Sequence, residues 1–153
     1  MIIQAETAAQ IEDARRLFRE YEAWLDVDLC FQSFEEELNT LPGKYAQPSG
    51  RLFLALIDEK PAGCIALRKI GNDICEMKRL YVRDDARGTG LGKMLIERLI
   101  EEAKTIGYKR MRLDTLPDKM PKAVRLYQSY GFQKIEPYYE NPHKETLFME
   151  KEL

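Results

Sequence analysis

Apolar and polar positions divide this chain into short stretches of alternating period. Residues 2–6 read as a short strand. Thr7 and Gln10 have the spacing of a capping box, and behind them Ile11, Ala14, Leu17, Phe18, Tyr21 and Leu25 recur along one helical face. Ser33 and Glu36 repeat the capping-box spacing and predict a second, short helix to about Leu41. Residues 41–50 hold two prolines, two glycines and a serine, and read as loop. Two apolar runs, 52–57 and 62–68, flank Asp58-Glu59-Lys60-Pro61 and predict a hairpin. A strand over 74–82 follows. A helix over 91–106 then buries Leu91, Leu95, Leu99 and Ala103, and stops at Gly107, a natural C-cap. Residues 111–116 read as a strand, 121–130 as a helix, and 132–135 and 146–149 as closing strands. The order βααβββαβαββ implies an α/β (α+β) fold. Its sheet is mostly antiparallel, with one parallel strand–helix–strand crossover.

One strand breaks the pattern. Regular alternation over 74–82 puts Glu76, Lys78, Leu80 and Val82 on one face and Cys75, Met77, Arg79 and Tyr81 on the other. Neither set is apolar throughout, which predicts a β-bulge or a polar cleft beside the strand.

Composition narrows the class. A chain of 153 residues is most simply one domain, residues 1–153, with room for a real core. Lys plus Arg number 24 against 26 for Asp plus Glu, a net charge of −2, which argues against a nucleic-acid binder. No apolar run has the length of a membrane span, and the first residues lack the basic and apolar segments of a signal peptide. Cys30, Cys64 and Cys75 have no C-x-x-C spacing and read as reduced, buried thiols. With one histidine, the sequence gives no zinc-site pattern, and no metal is expected. These features together predict a cytoplasmic protein that acts on neither nucleic acid nor membrane. Edge strands near the C-terminus leave room for a homodimer.

The chemistry begins at Arg87-Gly88-Thr89-Gly90-Leu91-Gly92, a glycine turn between a strand and a helix N-terminus. Orphan N–H groups and the positive end of the helix dipole make such a turn an anion site, and Arg87 and Lys93 add charge. A phosphate or pyrophosphate ligand follows. The P-loop does not fit, because Met94 follows Gly92-Lys93 where a hydroxyl residue is required. The dinucleotide fingerprint fits poorly, because the spacing is G-x-G-x-G and the turn lies past mid-chain.

The spacing [RQ]-x-x-G-x-[GA], met by Arg87, Gly90 and Gly92, resembles the acyl-CoA motif of the GNAT superfamily of N-acetyltransferases. Upstream, Glu76-Met77-Lys78-Arg79-Leu80-Tyr81-Val82-Arg83 resembles the family's central strand. Downstream, Ala123, Leu126, Tyr127, Gly131 and Phe132 match A-x-x-L-Y-x-x-x-G-F of its closing helix. The resemblance covers residue 52 to the C-terminus. It implies that the central strand splays from its parallel neighbour and that the pantetheine arm lies in the gap. Acetyl-CoA would be the acyl donor, bound by Leu80, Tyr81, Val82, Arg87, Gly88, Thr89, Gly90, Leu91, Gly92 and Lys93. Family members often place an asparagine near 119 or 122. Here Lys119 and Lys122 stand there, so that contact stays unassigned.

The resemblance also suggests catalytic groups. Glu76 stands where several members place a general base. Partial burial in a sheet would raise its pKa, whereas pairing with Lys78 or an arginine would make it structural. Tyr127 matches a tyrosine near the CoA sulfur, where a phenol can protonate the leaving thiolate, with Tyr130 as the second choice. The acceptor region is expected at Trp24, Asp26, Asp28, Phe31, Gln32, the loop through Tyr45 and residues 137–143. Trp24, Phe31 and Tyr138 are its candidate contacts, and the two aspartates suit a cationic amine. His143 reads as a surface residue. The implied reaction is direct acetyl transfer in a ternary complex to a primary amine of a small molecule or amino acid. The alternatives are transfer to a protein or peptide, and a non-catalytic acyl-CoA-binding module.

Overall fold

The sheet is built outward from a tight hairpin. In the computed structural model, which describes residues 1–29 and 33–153, Asp58 and Glu59 alone turn the chain, at φ of 51° and 66°. A two-residue turn with both φ positive matches the twist of the strands that it joins. Those strands are β2 (Arg51–Ile57) and β3 (Lys60–Gly71), so Lys60 and Pro61 lie in a strand rather than in the turn. β1 (Ile2–Gln4) pairs with β2, and β4 (Ile74–Val82) pairs with β3, both antiparallel. β5 (Arg110–Thr115) runs parallel to β4; β7 (Leu147–Glu152) is antiparallel to β5, and β6 (Gln133–Ile135) closes the edge. The seven strands lie in the order β1-β2-β3-β4-β5-β7-β6. This is the expected mixed, mostly antiparallel sheet with one parallel pair.

Helices cover both faces. α1 (Ala8–Leu25) and α2 (Phe34–Asn39) pack Leu17, Phe18 and Leu38 against Leu52, Leu54 and Ala66. α3 (Leu91–Ile106) and α4 (Pro121–Ser129) pack Leu95, Leu99 and Tyr127 against Phe53, Ile65, Met77 and Leu113. Successive residues of β2 therefore serve opposite cores, which is why the run reads as continuously apolar. The Thr7 cap forms as expected, with Gln10 N–H donating to Thr7 Oγ1 and Gln10 Oε1 accepting from Thr7 N–H. The second capping box does not form. Ser33 sits at φ 56° with no side-chain cap, because a left-handed residue does not present its hydroxyl to the N3 amide.

Two irregularities of β4 create the site. The first is a bulge. Cys64 pairs with Tyr81 but Ala66 pairs with Lys78, so one extra residue of β4 faces β3, and Arg79 takes φ 60°. Cys75, Met77, Leu80 and Val82 thereby pack toward the α3 core, while Tyr81 joins the α1 core. Lys78 and Arg79 are both buried between these sets. The second is a splay. β4 and β5 pair only from Ile74 to Glu76, opposite Arg110 to Arg112. Beyond Glu76 the edge of β4 that faces β5 has no strand partner, and its N–H and C=O groups are open to a ligand.

Candidate functional site

The glycine turn has the backbone geometry of an anion site. Gly88 and Gly90 adopt φ of 82° and 85°, and a Cβ added to either would meet nothing within 4 Å. The glycines are there for backbone conformation and an unobstructed approach, not for close packing. Gly90 is the N-cap of α3, and its carbonyl accepts from Met94 N–H at 3.1 Å. The N–H groups ahead of Met94 at the helix start have no intrahelical acceptor. Thr89 Oγ1 is turned back onto Ala86 O and holds the turn rather than facing the anion position.

Arg87 is held in the groove beside the turn. Its Nε donates to Val82 O at 3.0 Å, Nη1 meets Asp84 at 2.7 Å, and the guanidinium lies 4.4 Å from the centre of the Trp24 ring. Trp24 also packs on Tyr81. Trp24, Leu80, Tyr81, Val82, Arg87 and Gly92 form one wall of a cleft of about 420 Å³, and residues 119–123 form the other. Lys119 and Lys122 thus line the cleft that opens beside the glycine turn. Trp24, expected on the acceptor side, lines this same cleft, because α1 carries it over the end of β4.

Leu80 and Met120 of this cleft also line a small space in the splay, bordered by Tyr127, Met77, Lys78, Leu113, Asp114 and Thr115. Tyr127 is buried and edge-on to Phe132 at 5.9 Å. Burial pushes its phenol pKa up, with Tyr21 and Asp114 adding to the effect. Tyr130 points elsewhere, its hydroxyl donating to Glu97 on α3 at 2.6 Å. Thr115 Oγ1 is buried here with no hydrogen-bond partner, which is costly unless a ligand supplies one. The polar arm of an acyl-CoA fits that orphaned hydroxyl, the open strand edge and the glycine turn together.

Past the splay, Lys78 and Arg79 also line a cavity of about 260 Å³ with Lys44, Arg68, Glu37, Tyr45 and Tyr139. Arg79 is clamped by Glu37 through two bonds of 2.9 Å and lies 5.1 Å from the Phe34 ring centre. Burial and the adjacent Arg79 guanidinium push the Lys78 pKa down, against Asp114 and Glu76. Glu76 is fully buried behind this wall. Its Oε1 accepts from Arg68 Nε at 2.8 Å and lies 4.0 Å from Lys78 Nζ, and its Oε2 accepts from Tyr138 OH at 2.6 Å. Burial alone would raise its pKa, but Lys78, Arg68 and the Tyr138 hydroxyl outweigh burial and hold it below the usual carboxylate range. The raised pKa expected at Glu76 is therefore corrected.

The acceptor expectations change likewise. Tyr138 contacts Glu76 and packs between Tyr139, Phe148 and the Arg112 guanidinium, and it is Tyr139 that reaches the cavity. Tyr139 donates to Asp114 Oδ2. Asp26 and Asp28 are exposed and do not line the cavity, whose walls are basic. Phe31 and Gln32 lie outside the described residues. His143 borders a smaller adjoining space with Tyr21, Asp114, Thr115 and Thr146. Sequence reasoning missed Arg68, Asp114 and Thr115 as lining residues, and named Tyr139 only as part of the acceptor region 137–143. The available signal was a charge inside each strand run, at Arg68, at Lys78-Arg79 and at Asp114.

Comparison with known proteins identifies the family and the fold. A family model described as "Acetyltransferase (GNAT) family" matches residues 11–132. An uncharacterised N-acetyltransferase of Schizosaccharomyces pombe is 41% identical over 94% of this chain and 88% of its own length. Another, from Dictyostelium discoideum, is 34% identical over 93% of this chain and 94% of its own length. Among solved structures, a GNAT-family acetyltransferase of Staphylococcus aureus Mu50 superposes with a TM-score of 0.82 at 20% identity, covering 99% of this chain and 98% of its own. The PaiA N-acetyltransferase of Thermoplasma acidophilum, solved with coenzyme A, superposes with a TM-score of 0.75 at 20% identity, covering 100% and 99%.

Proposed function

The chain belongs to the GNAT family of acyl-CoA-dependent acetyltransferases, and from that premise we propose that it moves an acetyl group from acetyl-CoA directly to a primary amine of a small molecule or amino acid. The observation that carries this reading is the shared lining of three spaces: Leu80 and Met120 border both the donor cleft and the splay at Tyr127, and Lys78 and Arg79 border both the splay and the cavity beyond it. Two substrates entering from opposite ends meet at the splay. A cavity of about 260 Å³ favours a small acceptor over a protein segment.

Direct transfer is favoured over a covalent acyl-enzyme by the state of the described cysteines. Cys64 and Cys75 are buried and donate to Arg79 O and Arg110 O. Burial pushes the Cys75 thiol up to about 12 and Cys64 further still, so neither is a thiolate nucleophile. The amine nitrogen forms the new bond to the acyl carbon, the carbon–sulfur bond breaks, and the amine's proton must leave. Asp114 borders the splay with Oδ2 engaged by Tyr139 and no hydrogen bond on Oδ1 from the described residues. It is assigned as the proton acceptor. Tyr127 is assigned to the departing sulfur. A phenol raised above its ordinary pKa does not hand its proton outright to a thiolate of pKa about 8.5, so it acts as a hydrogen-bond donor to the developing charge. Glu76 is assigned to positioning, since its ion pairs fix Arg68 and Lys78.

The test is thiol release from acetyl-CoA across an amine panel. Asp114→Asn is expected to lower kcat about 10²-fold or more, and Tyr127→Phe about tenfold or more. If both variants keep wild-type kcat, the catalytic assignment fails. CoA binding without turnover of any amine would instead favour a non-catalytic module.

A further inference from the structure

The proposed acceptor cavity carries net positive charge, the same sign as a protonated amine. Lys44, Arg68, Lys78 and Arg79 border it. Against these four cations stand Glu37, in the wall, and Glu76, behind it. Asp114 acts on Lys78 from the splay side, and with it included the surroundings remain net positive.

The donors are only partly used. Among the described residues, Arg79 gives Nε and Nη2 to Glu37 and no acceptor meets Nη1, although the side chain is 2% exposed. Among the same residues Arg68 gives Nε to Glu76, with no acceptor for Nη1 or Nη2. Lys44 is exposed at the rim and forms no ion pair with a described residue. Guanidinium N–H groups beside the cavity that no described protein group engages are open to a ligand, and a planar fork of this kind matches a carboxylate.

Resting on the transfer reading above, we infer that the acceptor is an amine that also carries a carboxylate, held by Arg68, Arg79 and Lys44 with its amino group directed to the splay. The basic wall orients the substrate by its acid end. It also repels a plain diamine, which would bring a second cation to the same wall.

Matched amines test this. Wild-type protein is assayed with acetyl-CoA on phenylalanine against phenethylamine, histidine against histamine, and γ-aminobutyrate against propylamine. In at least one pair the carboxylate member is expected to have a kcat/KM about tenfold higher or more. Lys44→Gln, at an exposed position that folding does not need, should shrink that ratio about two- to fivefold. Arg68→Gln should shrink it about tenfold or more, chiefly through KM. A merely structural role would lower both members alike and leave the ratio unchanged. Preference for the decarboxylated member in every pair, or a ratio untouched by both variants, overturns the inference while transfer stands. If no amine is acetylated, the transfer reading fails, and calorimetry of the same pairs on the CoA-loaded protein decides the anion site alone. Carboxylate-dependent binding weakened by Arg68→Gln supports it, and its absence overturns it.

Discussion

At the scale of single residues, Glu76 shows how neighbours reverse a group's chemistry. Burial favours its neutral form, yet Lys78, Arg68 and Tyr138 favour the anion more strongly. Its folded pKa thus lies below that of the unfolded chain. Such a group contributes stability that is fully present above the unfolded value of about 4.3 and is lost as pH falls through the folded value. Glu76→Gln should therefore cost about 3 kcal/mol at neutral pH, because it leaves buried cations without their counter-ion. Urea unfolding should show that cost shrinking as pH falls below about 4. An undiminished cost at acid pH would mean that the effect is steric, not ionic.

At the scale of elements, the two left-handed glycines that bracket α3 separate folding from binding. Gly90 caps its start at φ 85° and Gly107 its end at φ 111°, and a Cβ would have free space at both. Alanine at either position should cost about 1–2 kcal/mol from the left-handed backbone alone. Only Gly90→Ala places a methyl group at the helix N-terminus, where the pyrophosphate is proposed to sit. Titration calorimetry should show CoA affinity reduced about tenfold or more in Gly90→Ala and near wild type in Gly107→Ala. Equal affinities in the two variants would move the phosphates away from this turn. The bulge of β4 is the other decisive element, because it buries Lys78 and Arg79 together beside the acceptor cavity.

At the scale of the molecule, the proposed donor cleft draws on α1, β4, the glycine turn and the start of α4, which touch opposite faces of the sheet. A ligand that bridges them should stabilise the whole fold. At a hundredfold excess over Kd, CoA should add about 2.7 kcal/mol, raising Tm by about 2–4 °C per kcal/mol. Hydrogen exchange should slow at residues 77–82 and 88–93 together. Protection confined to the turn would mean that the pantetheine arm does not enter the splay.

Periodicity, caps and the Arg87–Gly92 spacing are local properties, and they specified the element order, the parallel crossover and the glycine turn between β4 and α3. The sequence also carried the anomaly of β4, since a strand with polar residues on both faces has to bulge or border a cleft. Side-chain partners across the sheet are not local. Glu76 stands 8 residues from Arg68 and 62 from Tyr138, Arg79 stands 42 from Glu37, and Asp114 stands 25 from Tyr139. No spacing encodes such distances, so the sign of the Glu76 shift, the place of Trp24 and the basic acceptor wall were decided by tertiary packing. Composition could name a donor through one contiguous turn. The charge of the proposed acceptor cavity exists only where Lys44, Arg68, Lys78 and Arg79, from a 3₁₀ turn and two strands, converge on one space.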